Sequence, residues 1–320
     1  MIDELVRFAE TLDDEWHSPL ADAAADRWNL ERPLFVRSSA AHVFVAPASV
    51  DGPRVVLRLR PESADAVAVL ERGARAARAW RRAGGPFVDA VSSRAGRLVE
   101  RVDGYVATAL IAAEGEPLEE SAVDISSARR WGATVARLHR HGATGQFSDV
   151  PATEALATGE NLGSRLAAVV SAVRSDLALL PRHLNVYGVL HGDPEPDNVV
   201  VTPEGMVLVD PDEVRLGWFA SDVAFALRDW HDTTGLLDWT TEVPAAFLAG
   251  YRSVRPLSAE ELTWVPLLVR AAALEELSSL QPHVREPANR QWPVWAGALD
   301  VKVRARATAL QTMLLSGTTG

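Results

Sequence analysis

The side chains best suited to chemistry lie between Val189 and Asp210, in the segment V-L-H-G-D-P-E-P-D-N-V-V-V-T-P-E-G-M-V-L-V-D. Asp193 and Asn198 follow a predicted strand, and a predicted β-hairpin returns Asp210 to the same edge. Phosphoryl transfer needs a carboxylate that orients and deprotonates the attacking hydroxyl, together with oxygen ligands for Mg²⁺. We therefore predict Asp193 as the catalytic base and Asn198 and Asp210 as metal ligands, because Mg²⁺ prefers hard oxygen donors.

The residues in and after this segment resemble a known family. H-G-D-x-x-x-x-N, followed by a strand that ends in Asp, resembles the aminoglycoside phosphotransferase family of antibiotic and small-metabolite kinases, which have a protein-kinase-like fold. The next stretch, V-D-P-D-E-V-R-L-G-W-F-A-S-D-V-A, resembles that family's I-D-x-[DE]-x-x-x-x-G-x-x-x-x-D-L-A. The resemblance implies that Asp222 braces the catalytic loop and that ATP or GTP is the co-substrate. We expect His191 to shape the loop by packing and hydrogen bonding.

The predicted phosphate-binding turn contains no glycine. The segment Ser38–Phe44, S-S-A-A-H-V-F, lies where kinases have a glycine-rich loop, and it resembles the S-x-A-x-V-[FY] turn of some aminoglycoside kinases. Backbone N–H groups can hold phosphate without glycine if the approach is not too close. We expect Ser38, Ser39 and their backbone to lie over the phosphates; an ordinary hairpin is the alternative.

An arginine stands where the resemblance implies a phosphate-binding lysine. The only lysine of the chain is Lys302, so Arg58, on the third predicted strand, is the candidate, with Arg60 as a second choice. Arginine can hold phosphate through its planar fork, although its geometry differs from that of lysine. We predict Glu71, on the following helix, as the counter-ion of Arg58.

Two details of this nucleotide site are less constrained by the sequence. Glu71 could instead form a surface pair with Arg75, four residues further on. Ala113 lies in the predicted hinge, where the backbone would bind the nucleobase.

The elements that must position these residues divide the chain into two lobes. We predict an α+β, bilobal, protein-kinase-like fold, with a small β-rich N-lobe at residues 1–111 and a larger, mainly α-helical C-lobe at residues 112–320. The predicted helices are the first 30 residues, Pro61–Arg82, Ile125–His139, Asn161–Leu180, Leu262–Leu280 and Val301–Leu315. The predicted strands are Leu34–Val45 with a turn inside it, Arg54–Arg60, Val88–Val91, Arg97–Val102, Tyr105–Ile111, Val186–Leu190, Val199–Val201 and Met206–Val209.

The acceptor is predicted only as a class. Residues 111–320 hold 27 of the 43 acids and 17 of the 32 bases. Glu195, Asp197 and Trp230 lie near the predicted catalytic loop, so an acidic, aromatic-lined cleft would suit a cationic acceptor. We therefore expect transfer of the γ-phosphoryl group to a hydroxyl of an aminoglycoside-like or other amine-bearing antibiotic, or of a related metabolite.

Composition excludes several classes of protein. The chain has 320 residues, a formal net charge of −11 and no cysteine. It therefore has no disulfide framework and no cysteine nucleophile, and its acidity argues against a nucleic-acid binder. The first ten residues do not resemble a secretory signal, and the longest uncharged apolar-rich stretch is too short for a membrane span. We expect a cytoplasmic protein with no nucleic-acid or membrane partner; its oligomeric state stays open.

Two alternative functions remain open at this point. The missing lysine and glycines would suit a catalytically silent, kinase-like nucleotide-binding protein. A metabolite kinase of the homoserine or choline kinase type would share the motifs described above. A protein kinase is disfavoured, because no A-P-E-like segment follows Asp210 and little room is left for a peptide-binding activation loop.

Overall fold

The computed structural model of the protein describes residues 1–47, 52–119, 123–143, 162–287 and 291–316. Its N-lobe is built on an antiparallel six-stranded sheet, in which β1, β2, β3, β6 and β4 are neighbours in that order and β5 also pairs with β6. The strands are β1 Leu34–Ser38, β2 His42–Ala46, β3 Val55–Pro61, β4 Ala90–Val91, β5 Val99–Val102 and β6 Tyr105–Ile111.

Three helices complete the N-lobe: α1 Ile2–Ala9, α2 Pro19–Ala25 and α3 Ala64–Arg82. The predicted single helix over the first 30 residues is wrong, because the Asp13 carboxylate accepts hydrogen bonds from the N–H groups of Glu15 and His17. A side chain that binds its own backbone in this way forms a turn. Helix α3 begins where Ser63 Oγ accepts a hydrogen bond from Ala66 N, an N-cap that holds the first turn.

The C-lobe is mainly helical, with two small sheets. Its helices are α4 Ile125–Gly142, α5 Ser164–Leu179, α6 Phe219–Ala226, α7 Glu242–Arg252, α8 Ala259–Thr263, α9 Val265–Arg285 and α10 Val294–Ser316. Its strands are β7 Glu116–Pro117, β8 Tyr187–Leu190, β9 Val199–Thr202, β10 Gly205–Leu208 and β11 Arg215–Trp218. One sheet has the order β10, β9, β7, and the other pairs β11 with β8. The bilobal α+β fold is thus confirmed.

Most predicted elements are present, with shifted ends. The strand predicted from Val88 contains only the two residues of β4, and Asn161, the predicted start of α5, lies outside the described residues. Strand β11 was not predicted, although it pairs with β8 beside the predicted catalytic loop. No helix in the described ranges has both the length and the apolar character that a membrane crossing needs.

One apolar cluster is shared by the two lobes, and a second one, with Phe44, Leu57 and Ala107, lies within the N-lobe. Trp80 on α3 belongs to the same cluster of buried apolar side chains as Trp131 on α4 and Phe247 on α7. The division at residues 111 and 112 stays a prediction, and the shared cluster crosses it.

Candidate active site

The loop after β8 is shaped by a glycine. Gly192 has φ of +87°, in the left-handed region, and a Cβ there would overlap the carbonyl oxygen of Glu213. A residue with a side chain would therefore push apart two segments, the catalytic loop and the turn after β10. The loop then continues through Asp193 to a short 3₁₀ turn, Pro196–Asn198.

The two oxygens of Asp193 have different surroundings. Asn198 Nδ2 donates to Oδ2 and to the backbone oxygen of Asp193, both at 3.0 Å. Oδ1 is buried and accepts no hydrogen bond from the described residues; Arg228 Nη1 lies 3.9 Å away. Burial raises the pKa of Asp193, against the nearby charges of His191 and Arg228. A partly buried carboxylate with a raised pKa and one oxygen not engaged in a hydrogen bond is suited to accept a proton from a hydroxyl.

Asp210 lies between two arginines. Arg58 Nη2 is 2.6 Å from Oδ1, and Arg37 Nη2 is 3.4 Å from Oδ2. Burial alone would raise the pKa of Asp210, but the Arg58 guanidinium outweighs it and keeps the carboxyl below its usual range. The sequence did not single out Arg37; its place next to the predicted phosphate-binding turn was the available signal.

Asn198 and Asp210 fit a Mg²⁺ site that is completed by a nucleotide. Asn198 uses its amide nitrogen on Asp193, so its amide oxygen is the atom left for a cation. The described residues contain no group of three or more His, Cys, Asp or Glu side chains that could hold a metal. Mg²⁺ is commonly held by one or two protein ligands plus phosphates and waters, and these two residues supply that number.

The predicted ion pair between Arg58 and Glu71 is wrong. Arg58 Nη2 is 2.8 Å from Asp212 Oδ2, and Asp212 is buried; Glu71 instead pairs with Arg75 at 3.6 Å on the surface. The reason is helical geometry. The face of α3 that approaches the Arg58 site is at Gly73, and residues two apart on a helix point in nearly opposite directions. Asp212 therefore occupies the position expected for Glu71.

Asp222 and His191 hold the predicted catalytic loop. Asp222 accepts hydrogen bonds from His191 N at 2.8 Å and Gly192 N at 2.9 Å, and from His139 Nε2 at 2.9 Å. His191 Nε2 donates to Val209 O at 2.8 Å, next to Asp210. These bonds join the loop of Asp193 to the strand end of Asp210, which is what the predicted supporting roles require.

Sequence reasoning missed the second half of this network. His139 Nδ1 lies 2.8 Å from the hydroxyl of Tyr251, which accepts from Arg255 Nη1 at 3.0 Å. Burial lowers the pKa of His139, so the ring is neutral and accepts at Nδ1 while it donates to Asp222. The pair of His139 and Tyr251 on neighbouring helices had no spacing signal in the sequence.

The remaining nucleotide candidates lie around the cleft between the lobes. The Ser38 hydroxyl is 2.8 Å from His42 Nδ1 inside the turn, and Ser39 is exposed. Neither the N–H nor the C=O of Ala113 takes part in a backbone hydrogen bond among the described residues, whereas Ala112 N donates to Arg54 O. A nucleotide role for these residues stays a prediction.

The acceptor candidates lie in three different environments. Glu195 forms a close ion pair with Arg228, and Asp197 is exposed. Trp230 packs against Trp131, with 6.0 Å between ring centres, and Trp131 Nε1 donates to Pro194 O in the catalytic loop. The charge of Glu195 is therefore already balanced by Arg228. Trp230 packs on Trp131, which in turn holds the loop through its hydrogen bond.

Comparisons with known proteins concern the family and the fold of the chain. The model of the phosphotransferase enzyme family matches residues 38–257. A homoserine kinase of Methylobacterium radiotolerans is 40% identical over 107 residues, which cover 32% of each chain. A homoserine kinase of Beijerinckia indica is 31% identical over 201 residues, 58% of this chain and 60% of that protein. The matches thus span about a third to three-fifths of these relatives.

Two solved structures share the fold over nearly the whole chain. An amicoumacin kinase in complex with AMP-PNP, Ca²⁺ and Ami has a TM-score of 0.65 at 15% identity, over 97% of this chain and 93% of that one. A microcompartment-associated aminopropanol kinase has a TM-score of 0.63 at 19% identity, over 93% and 97%. These likenesses concern the fold, and the family match covers more than half of the sequence. On that match, the chain belongs to the phosphotransferase enzyme family.

Proposed function

We propose that this protein is a kinase that transfers the γ-phosphoryl group of a nucleoside triphosphate to a hydroxyl group of a small molecule. The observation that carries the proposal is Asp193: Asn198 fixes one oxygen, and the other is buried without a hydrogen bond to the described residues. A silent nucleotide-binding protein has no need to keep a base of this kind. We therefore place the silent protein second.

In the proposed mechanism, Asp193 Oδ1 accepts the hydrogen bond of the acceptor hydroxyl and takes its proton as the phosphoryl group is transferred. Asn198 keeps the carboxylate oriented, and Asp222 keeps the loop in place through the N–H groups of His191 and Gly192. Asn198 and Asp210 would hold Mg²⁺, which neutralises charge on the phosphates. Transfer is direct, because the site presents a base and no activated nucleophile.

Arg58 and Arg37 would bind the nucleotide phosphates from the N-lobe side. Both guanidinium groups contact the Asp210 carboxylate, and an anionic phosphate can take the place of that carboxylate on the arginine fork. The AMP-PNP and Ca²⁺ in the amicoumacin kinase support ATP and a divalent cation as the natural pair; we propose ATP and Mg²⁺. We also propose that Ser38, Ser39 and the hinge at Ala113 contact the nucleotide.

The acceptor is proposed as a hydroxyl-bearing metabolite or antibiotic. Homoserine kinases among the relatives support a metabolite, and the amicoumacin kinase supports an antibiotic. The aminopropanol kinase supports an amine-bearing alcohol.

The test is Mg²⁺-dependent ADP release in the presence of ATP or GTP and a panel of homoserine, aminopropanol, aminoglycosides and other hydroxylated antibiotics. Asp193→Asn should lower the acceptor-stimulated rate by about 10²- to 10⁴-fold, the usual contribution of a general base. Asp103→Asn, at an exposed turn with φ of +47° where asparagine is tolerated, is the matched control. Unchanged turnover in Asp193→Asn would remove this residue from catalysis, and nucleotide binding without any turnover would favour the silent protein.

A further inference from the structure

A cavity of about 660 Å³ lies in the C-lobe beside the catalytic loop. Leu190, the last residue of β8, lines it, and so does Arg228, whose Nη1 is 3.9 Å from Asp193 Oδ1. The volume is in the range of sites for small molecules. One end of this cavity therefore lies next to the base that would deprotonate the acceptor.

The cavity is basic, in contrast to the acidic cleft that the charge of residues 111–320 suggested. Three carboxylates line it, from Asp232, Glu275 and Glu276. Five arginines line it as well: Arg174, Arg182, Arg215, Arg228 and Arg306. A surplus of guanidinium groups disfavours a polycationic ligand and favours one that carries negative charge.

The carboxylates of the cavity wall are already engaged. Glu275 is 3.0 Å from Arg215 Nη1, and Glu276 forms two hydrogen bonds of 2.7 Å with Arg306. Asp232 accepts hydrogen bonds from the N–H groups of Thr234 and Leu236 within its own turn. These acids therefore leave little negative charge for an amine.

The arginines differ in their partners. Arg228 pairs with Glu195 near the catalytic end, and Arg174 has a partner of its own. Arg182, at the other end, has no carboxylate within ion-pair distance among the described residues. Its guanidinium carbon lies 5.4 Å from the ring centre of Trp218 and 5.8 Å from that of Tyr187. A guanidinium stacked on aromatic faces keeps its N–H groups available in its own plane.

The platform under Arg182 is fixed. Trp218 Nε1 donates to Pro181 O at 2.8 Å, and the rings of Trp218 and Tyr187 meet edge to face at 5.3 Å. The cation is thus held in place by its neighbours before any ligand arrives. Such preorganisation lowers the entropic cost of binding an anion.

The wall between the two ends is mainly apolar, and Ser221 and His231 are polar residues in the lining. Leu216, Phe225 and Leu268 line it. His231 Nε2 is buried and has no hydrogen bond to the described residues, and burial lowers the pKa of this ring, which is therefore neutral. A ligand here would have a mainly apolar body with room for one polar group along it.

Strand β8 sets the distance between the two ends. Tyr187 marks the Arg182 end and Leu190 the catalytic end, and three steps along a strand span about 10 Å. The pairing of β8 with β11 repeats this layout, with Trp218 opposite Tyr187 and Arg215 opposite Leu190.

We propose that the acceptor is an extended hydroxy acid: its hydroxyl lies at Asp193, an apolar body fills the cavity, and a carboxylate binds Arg182. A single guanidinium fork matches one carboxylate in charge and geometry. This inference rests on the proposed function, because it assigns the acceptor of that same reaction. It assigns a carboxylate, rather than an amine, to the end of the acceptor that lies far from Asp193.

The experiment compares matched probes in the complete protein. Phosphorylation of ω-hydroxydecanoate, of the corresponding decane diol and of ω-aminodecanol is followed by mass spectrometry and ADP release with Mg²⁺ and ATP. The acid should be preferred over the diol and the amine by about tenfold to a hundredfold in kcat/KM, the value of a charge-assisted hydrogen-bonded pair. Arg182→Gln should bring the acid-to-diol ratio to about one, whereas Arg165→Gln, an exposed arginine of α5 outside the cavity wall, should keep it.

The outcomes separate this inference from the function on which it rests. A wild-type ratio near one, a preference for the amine, or a ratio that Arg182→Gln leaves unchanged would overturn the hydroxy-acid acceptor. Turnover of homoserine or an aminoglycoside, with none of the acid probe, would also overturn it while leaving the kinase in place. Bound nucleotide without Asp193-dependent turnover of any compound would overturn the kinase itself.

Discussion

The raised pKa of Asp193 allows a prediction of how the reaction rate depends on pH. The base must be deprotonated to act, and burial raises the pKa of Asp193 above the ordinary 3.8 while Arg228 opposes the rise. The rate should therefore fall as the pH drops through this raised pKa. Arg228→Gln removes the opposing charge, so we expect the acid limb of kcat to move to higher pH. Profiles of kcat at saturating acceptor test this; a limb that stays in place in Arg228→Gln, as it should in Arg165→Gln, would contradict it.

The two arginines at Asp210 should contribute differently to stability. Arg58 is buried between Asp210 and Asp212, so Arg58→Ala leaves buried Asp212 with only the longer contact to Arg60 Nη1, at 3.5 Å, and should cost up to about 3–5 kcal/mol of the free energy of unfolding. The Arg37 side chain is 46% exposed, and its ion pair should contribute only about 0–1 kcal/mol. Both variants should bind ATP less tightly, because each removes a cation from the proposed phosphate site.

Urea unfolding and calorimetric titration with ATP separate the two effects. Asp212→Asn in the Arg58→Ala background should restore part of the lost stability, since it removes a buried charge that has lost its nearer cation. Equal losses of stability in Arg37→Ala and Arg58→Ala would contradict the difference in burial.

The sequence predicted the residues of the catalytic loop better than their partners. Asp193, Asn198 and Asp210 fall within one short segment whose spacing brings them together. The counter-ion of Arg58 depends instead on which face of α3 meets the turn after β10, and that is decided by long-range packing. Asp212 occupies the [DE] position of the family pattern I-D-x-[DE], yet that pattern does not indicate which cation the acid pairs with.

At the scale of elements, the catalytic loop depends on the close approach of β8 and the turn at Glu213. Gly192→Ala would need a left-handed backbone and would place a Cβ on the Glu213 carbonyl oxygen, so we expect loss of activity and of stability. Gly96→Ala is the matched control, because Gly96 has φ of +77° and no atom within 4 Å of the added Cβ. The control should cost only the backbone strain, about 1–2 kcal/mol.

Activity assays and thermal unfolding of the two variants measure this difference. Gly192→Ala with near-normal turnover would show that the loop can move away from Glu213 without harm. In that case the contact would not set the position of Asp193.

The elements themselves were predicted unevenly for physical reasons. Long periodic segments such as α3 and α4 were found, because amphipathic spacing persists over several turns. Strand β11 was missed because R-L-G-W is short and contains a glycine, and its strand state comes from pairing with β8. The N-terminal break was missed because a single side chain, Asp13, ends the helical run.

At the scale of the whole molecule, the lobes are packed as one body. The apolar cluster that contains Trp80 and Phe87 of the N-lobe also contains Trp131, Val199 and Phe247 of the C-lobe. A boundary at residue 111 therefore cuts through this shared cluster, while a second apolar cluster, around Phe44 and Leu57, lies wholly within the N-lobe. We expect a single unfolding transition in urea, with far-UV circular dichroism and tryptophan fluorescence changing together. Separate transitions would show that the shared cluster does not couple the lobes.

A substitution at Gly73, where α3 meets the turn after β10, tests the coupling between the lobes. A Cβ at Gly73 would lie 2.5 Å from Pro211 O, so Gly73→Ala must move α3 away from the turn that holds Asp212 beside Arg58. Overpacking of this kind costs about 1–3 kcal/mol, more than the gain of about 0.5–1 kcal/mol from replacing a helical glycine. Gly297→Ala, in α10 with no atom within 4 Å, should show only that gain. We expect Gly73→Ala to unfold at a lower urea concentration and to bind ATP more weakly, because the same displacement reaches both the shared cluster and the phosphate site. Unchanged ATP affinity in a destabilised Gly73→Ala would show that α3 supports the core but does not position Arg58.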